Sequence, residues 1–414
     1  MKKLIPQGAK NIYHLFQAIL ANLWFGFPTR KLKVIGITGT DGKTTTAQMV
    51  TKILEEVGKK VAMASTINFR INGIEEKNLS HFTTLSAFAV QKFARRAVQA
   101  DCEYLVLETS SHSLDQYRVW GVDYKTAVIT NVTREHLDYH KTMEKYRQAK
   151  TKLFQNAQVA IVNADMKNPE EFLQHKNDRK ITYSLKDAQA DILAENIELG
   201  IDKSIFAINN QKFTLNLIGD FNIENALAAI AVGVSENISL KICAQALEKI
   251  MGVPGRMEYV PNNKGLNILV DFALTPEALE KLYSLLAKIK KPTARIIAVF
   301  GSCGERDRGK RPIMGEIISQ HADFVIATND EPYHEDPMQI INEIVAGIKN
   351  KTKDTNFWII PDRRAAIAKA LQIAQSDDII AVTGMGAEES MIVGDQKIPW
   401  NDRQVILEEL AKMK

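Results

Sequence analysis

From Lys31 onward, short apolar runs alternate with stretches whose apolar residues recur every three or four positions. Lys33–Ile37 (KVIGI) reads as a buried strand and Thr44–Val57 as the helix that follows it. Tyr104–Leu107 and Ala127–Thr130 read as further strands. This is the βαβ rhythm of a parallel sheet with helices on both faces. Residues 190–217 are short and β-rich, which predicts a small sheet at the edge of the same domain, and Phe221–Val234 and Leu240–Ile250 predict helices. Met251–Gly255 (MGVPG) has the composition of a linker. Beyond it the rhythm resumes, with strands expected at Ile268–Asp271, Arg295–Phe300, Phe324–Ala327, Trp358–Ile360 and Ile379–Val382. The expected architecture is α/β. A central doubly wound parallel-sheet domain (33–252) is followed by a second, Rossmann-like domain (253–414).

Ahead of Lys31 the period is helical. Ile12, Leu15, Phe16, Ile19, Leu20 and Leu23 predict an amphipathic segment (1–32) whose helix ends near Gly26 and Pro28. Lys2 and Lys3 resemble the start of a signal peptide, but Gln7, Lys10, Asn11, His14 and Gln17 interrupt its apolar region. Ala18–Phe27 is too short to span a bilayer. The helix is expected to pack on the domain behind it. Trp24, Phe25 and Phe27 suit the alternative, peripheral contact with a membrane surface or a lipid-linked substrate.

Composition narrows the class. The chain has 414 residues, 45% hydrophobic and 25% charged, with a net charge of +4. That argues for a folded chain and against a nucleic-acid partner. Three scattered cysteines, Cys102, Cys243 and Cys303, provide neither a disulfide framework nor a CxxC zinc pair, so a cytoplasmic location is expected.

The strongest local signal is Gly39-Thr40-Asp41-Gly42-Lys43-Thr44, between a buried strand and a helix. Glycines let backbone N–H groups approach phosphate oxygens, and the helix N-terminus adds positive potential. A lysine reaches the outer phosphates, and a hydroxyl can ligate Mg²⁺. Gly36, Gly39 and Gly42 are spaced differently from the GxxxxGKT pattern, where Ile37 would be glycine. The loop implies a nucleoside triphosphate and leaves GTPase, kinase and ligase open.

Ile37–Thr46 (ITGTDGKTTT) resembles the P-loop of the Mur ligase family. Glu108–Val119, Asn131–His140 (NVTREHLDYH), Tyr146–Phe154, Gly219–Ala229, Val253–Glu258, Val270–Pro276 and Val299–Pro312 follow in that family's order. Together they resemble the MurE-like branch, which adds the third peptide residue to UDP-MurNAc-L-Ala-D-Glu. The resemblance implies an ATP-dependent, ADP-forming ligase that activates a carboxylate as an acyl phosphate, with two Mg²⁺ ions. It assigns Mg²⁺ to Thr44, Glu108 and His136, and to Lys150 in carbamylated form. With Lys43, the last three are the implied catalytic residues. Gly39, Thr40, Asp41, Gly42, Lys43, Thr44, Thr45, Asn225, Arg256 and Asp271 would bind ATP. Thr83, Thr84, Ser110, Gln116 and Arg118 would hold the muramoyl-peptide acceptor. Arg306, Asp330, Glu331, Tyr333, Gly384 and Glu388 would receive the free amino acid. A monomer is expected.

The chain departs from the pattern in four places. A short helical segment stands where a whole N-terminal UDP-binding domain is usual. Asp330-Glu331-Pro332-Tyr333 replaces DNPR, whose arginine pairs with a distal carboxylate of diaminopimelate. Gly384-Met385-Gly386-Ala387-Glu388 replaces GKGHE, and Leu274 replaces a usual histidine. The alternatives are a MurT-like or related ligase acting on a lipid-linked or other glutamate-terminated acceptor, a folate- or cyanophycin-type ligase, and a non-catalytic nucleotide-binding scaffold. The cysteine count argues against the MurT branch. The presence of Lys43, Glu108 and Lys150 argues against the scaffold.

Overall fold

Residues 7–78, 83–200 and 203–413 are described by the computed structural model of the chain; Lys2 and Lys3 lie outside them. The first sheet contains β1 (Lys33–Thr38), β2 (Val61–Ala64), β3 (Asn68–Ile71), β4 (Ile74–Lys77), β5 (Tyr104–Glu108), β6 (Tyr124–Ile129), β7 (Val159–Asn163), β8 (Arg179–Ser184) and β9 (Ile192–Leu193). Their order is β4-β3-β2-β5-β1-β6-β7-β8-β9. β1 is central and parallel to both β5 and β6, which brings the loops after all three to one edge. Successive β1 residues serve opposite faces. Ile35 and Ile37 pack under helices Lys43–Glu56 and Asp220–Ser235, whereas Val34 packs toward helix Ala87–Gln99.

The β-rich stretch adds β10 (Glu195–Leu199), β11 (Ser204–Ile208) and β12 (Gln211–Leu215), an antiparallel sheet of its own. The second large sheet holds β13 (Glu258–Val260), β14 (Asn267–Asp271), β15 (Ile296–Phe300), β16 (Phe324–Ala327), β17 (Phe357–Ile359) and β18 (Ile379–Thr383). It runs β13-β14-β18-β15-β16-β17 and is also covered by apolar clusters on both faces. Neither large sheet is wholly parallel: β3, β4 and β13 run antiparallel at the edges. These short strands join by tight connections, which an antiparallel pair allows and a parallel pair does not. A final hairpin pairs β19 (Ser390–Val393) with β20 (Gln396–Pro399).

The N-terminal helix forms over Gln7–Phe25, but its large apolar residues do not make the packed face. Ala18, Ala21 and Asn22 face the domain, while Ile12, Phe16, Leu20 and Leu23 are exposed. Small residues allow close approach to Ala87, and Asn22 Nδ2 donates to Trp120 O at 2.8 Å.

Candidate active site

The loops at the carboxyl edge of the first sheet face those of the second across a cleft of about 290 Å³. Its walls include Thr40–Thr45, Thr83, His136 and Asn225 on one side. On the other are Arg256, Asp271, Arg306, Asp330, Glu331, Tyr333, Gly384 and Glu388. Gly39, Glu108 and Lys150 lie just beneath that surface, within hydrogen-bond reach of wall residues or of each other.

The P-loop is shaped for an anion. Most long helices here begin with a Ser, Thr, Asp or Asn side chain capping the first N–H groups, as at Ser86, Thr142 and Asp362. Three that open onto the cleft, starting at Lys43, Asp220 and Lys310, have no side-chain cap. At the helix starting at Lys43, the first-turn N–H groups ahead of Thr46 remain available to a ligand. Gly42 has φ +82°, and a Cβ there would meet Asn225 Oδ1 at 2.1 Å. A Cβ on Gly39 would meet Thr130 Oγ1 at 1.8 Å. Thr40 Oγ1 bonds Tyr146 Oη at 3.1 Å, and Asn131 Oδ1 accepts from the Asp41 N–H at 2.9 Å.

Two ammonium groups share one carbonyl. Lys43 Nζ donates to Gly39 O at 3.0 Å and to Thr40 O at 2.7 Å, while Lys150 Nζ donates to Gly39 O at 2.7 Å. Lys150 is buried, its Nζ 4.5 Å from the centre of the Tyr146 ring. Burial, and then the nearby Lys43 charge, hold the Lys150 amine well below its ordinary range. Burial also lowers Lys43, against the pull of Glu108 and Asp41.

Glu108 ends β5 fully buried. Its carboxylate accepts from Thr66 N–H and Thr66 Oγ1, both at 2.9 Å. Burial raises its proton affinity, and Lys43 opposes that. His136 is held at φ +57° with its ring edge-on to His112, centroids 4.6 Å apart. Burial keeps His136 neutral, and His112 is pushed down to about 3 by burial and by His140. Among the described residues, no three His, Cys, Asp or Glu side chains stand close enough to cage a metal. Mg²⁺ does not require such a cage, because it keeps waters and phosphate oxygens and takes one or two protein ligands. A buried carboxylate and the Thr44 hydroxyl beside an uncapped helix fit that preference.

The acceptor candidates form a neighbouring cluster. Thr84 Oγ1 donates to Glu108 O at 3.0 Å and lies 3.1 Å from Ser110 Oγ, and Arg118 donates to Thr84 O at 2.9 Å. Gln116 ends the short helix Ser111–Asp115. On the far wall, Asp271 accepts from Met257 N–H at 2.6 Å and Ala273 N–H at 2.8 Å, and Arg256 stacks 4.4 Å over Phe272. Arg306 lies 5.6 Å over the Tyr333 ring, whose hydroxyl is 3.4 Å from Glu331 Oε2. Asp330 is buried with both carboxylate oxygens unpartnered, and burial pushes it up to about 6.

Several residues here escaped the sequence reading. Thr66 anchors Glu108, and Asn222, Glu224, Lys281 and Cys303 line the cleft. Glu135 and Lys310 form an ion pair across it at 3.2 Å. Both lie inside motifs already quoted, so position was a signal even though the pairing was not.

Residues 37–233 match the Mur ligase middle domain, and residues 255–386 match the Mur ligase glutamate ligase domain. The UDP-N-acetylmuramoyl-L-alanyl-D-glutamate--2,6-diaminopimelate ligase of Clostridium tetani is 39% identical over 403 residues, 96% of this chain and 81% of that protein. A solved structure of a UDP-N-acetylmuramoyl-L-alanyl-D-glutamate--2,6-diaminopimelate ligase superposes with a TM-score of 0.64 at 31% identity, over 92% of this chain and 78% of that one. The folylpolyglutamate synthase of Mycobacterium tuberculosis complexed with ADP shares the fold, with a TM-score of 0.74 at 18% identity over 90% of this chain and 93% of its own. The class is therefore an ATP-dependent, ADP-forming ligase that makes an amide bond. The chain belongs to the Mur ligase family.

Proposed function

We propose that this ligase joins a free amino acid to the D-glutamyl carboxylate of UDP-MurNAc-L-Ala-D-Glu, as a monomer, in peptidoglycan precursor synthesis. The observation that carries the reading is the single cleft. Across it, an uncapped phosphate loop faces Arg306 and the carboxylates Asp330, Glu331 and Glu388.

The acceptor carboxylate attacks the γ-phosphorus of ATP, and ADP leaves. The resulting acyl phosphate is attacked by the amine, which loses a proton as phosphate departs. Residues 33–252 supply the phosphate and acceptor sites, and residues 253–414 the amino-acid site. Lys43 swings from the Gly39 and Thr40 carbonyls onto the outer phosphates. Asn225 contacts the adenine side, and Arg256 and Asp271 reach the nucleotide from the far wall. Two Mg²⁺ ions, when bound, neutralise phosphate charge, and Thr44, Glu108, His136 and carbamylated Lys150 would hold them. The depressed Lys150 amine suits carbamylation, which needs the neutral form. Its remaining N–H can keep the bond to Gly39 O. Thr83, Thr84, Ser110, Gln116 and Arg118 position the acceptor. Arg306 holds the α-carboxylate of the amino acid, and Glu388 accepts from its amino group. Closure of the two domains excludes water from the acyl phosphate.

The test is ATP-dependent phosphate release with UDP-MurNAc-L-Ala-D-Glu and a panel of amino acids, products read by mass. A product heavier by one residue is expected. Folded protein that binds ATP yet turns over with none of the panel would refute this acceptor. Lys43→Ala should abolish turnover without unfolding.

A further inference from the structure

The N-terminal helix presents its apolar side to solvent. It is tied to the domain along a narrow face, where Ala18 and Ala21 pack on Ala87 and Asn22 Nδ2 donates to Trp120 O at 2.8 Å. The outward face carries Trp24 at 76% exposure, Ile12 at 71%, Leu23 at 62% and Phe16 at 59%. Isolated exposed apolar residues need no explanation, but a continuous row along one helix face does. The row lies in an acid-free stretch. No Asp or Glu precedes Asp41, whereas Lys2, Lys3, Lys10, Arg30, Lys31 and Lys33 do. Arg30 and Lys31 are exposed just past the helix end, Arg30 stacked 4.2 Å over the Phe27 ring. Among the described residues, no helix is long and apolar enough to cross a membrane.

We propose that this helix lies in the interface of a membrane containing anionic phospholipid. The row from Ile12 to Trp24 enters the boundary between headgroups and acyl chains. The indole of Trp24 sits at headgroup level, and Arg30 and Lys31 meet lipid phosphates. Charge selects this occupant over a second copy of the chain. A face-to-face dimer brings two cationic, acid-free segments together, whereas an anionic surface neutralises them. The proposal does not depend on which acceptor the cleft takes.

Sedimentation of the full chain with sucrose-loaded vesicles tests it. Vesicles of phosphatidylcholine with phosphatidylglycerol should carry the protein down, and phosphatidylcholine alone should do so much less. Phe16→Ser with Leu23→Ser should lower partitioning at least about tenfold, as expected for removing two large apolar side chains from the boundary. Arg30→Glu with Lys31→Glu should erase the preference for the anionic vesicles. Both variants should retain the far-ultraviolet dichroism and ATP-dependent turnover of the parent. Equal pelleting with and without vesicles overturns the proposal, as does vesicle binding that neither variant weakens. A concentration-dependent dimer in light scattering, lost in the Phe16/Leu23 variant, overturns it in favour of a second copy.

Discussion

Replacing Lys310 by methionine should open the cleft rather than unfold either half of the molecule. Lys310 Nζ lies 3.2 Å from Glu135 Oε1 and 3.4 Å from Oε2, and the side chains are only 4% and 12% exposed. Two unit charges at this separation attract by roughly 5 kcal/mol at an effective dielectric near 20, before desolvation is subtracted. Removing one partner of such a pair costs about 3–5 kcal/mol, chiefly because the other charge is left stranded. Glu135 belongs to the loop after β6 and Lys310 starts helix Lys310–His321, so separating the two sheets rehydrates Glu135. The cost therefore falls on closure and should shift the open–closed balance by roughly two to three and a half orders of magnitude. The adjacent pair, Arg134 and Asp307 at 3.4 Å, is half in solvent and adds at most about 1 kcal/mol. Small-angle scattering with ATP bound should show a larger radius of gyration for Lys310→Met. KM for the amino acid should rise more than kcat falls. Glu135→Gln combined with Lys310→Met should recover most of the loss, because neither charge is then stranded. A single variant that scatters and turns over like the parent would refute the reasoning, and so would a double variant as impaired as the single.

Lys150→Ala should lose turnover, and formate or acetate should restore part of it if a carbamate supplies the missing carboxylate; full activity without rescue would rule the carbamate out. Gly42→Ala should abolish ATP binding in a calorimetric titration, since its Cβ would stand 2.1 Å from Asn225 Oδ1 at a φ of +82°. Asp330 is pushed up to about 6, whereas an unfolded aspartate titrates near 3.9. The native state thus keeps a proton that the unfolded chain releases between about pH 4 and pH 6. Stability should fall by roughly 3 kcal/mol as pH rises through that window. In urea titrations Asp330→Asn should be more stable than the parent at pH 8 and no more stable at pH 4.

Local patterns made much of this molecule legible. The strand before Gly39 and the helix after Gly42 follow from hydrophobic periodicity and turn chemistry, which act over a few residues. Thr44, His136, Asn225 and Arg306 could be marked as candidates because each sits in a dense motif. Long-range pairing was not legible. Nothing near Thr66 announces that it will hold Glu108, 42 positions away. Glu135 and Lys310 are 175 positions apart. The short antiparallel strands β3 and β4 carry too few residues for a period to register. The N-terminal helix illustrates a further limit: periodicity identifies an apolar stripe but does not say that the stripe is the packed side. Here Ala18 and Ala21 allow closer approach than Phe16 or Leu23 would.

The Gly39 carbonyl, shared by Lys43 and Lys150, bears on the order in which the proposed carbamate and the nucleotide would arrive. Burial, and then the Lys43 charge beside it, make the Lys150 amine easier to deprotonate. On the proposed function, a triphosphate would draw Lys43 away and add negative charge, so Lys150 would then hold its proton more tightly. Carbon dioxide reacts only with the free amine, so the proposed carbamate would form more readily before a triphosphate binds than after. By linkage, a carbamylated Lys150 would disfavour bare nucleotide and favour nucleotide accompanied by a divalent cation. On the proposed function, sharing one peptide oxygen would place carbamate formation ahead of nucleotide binding.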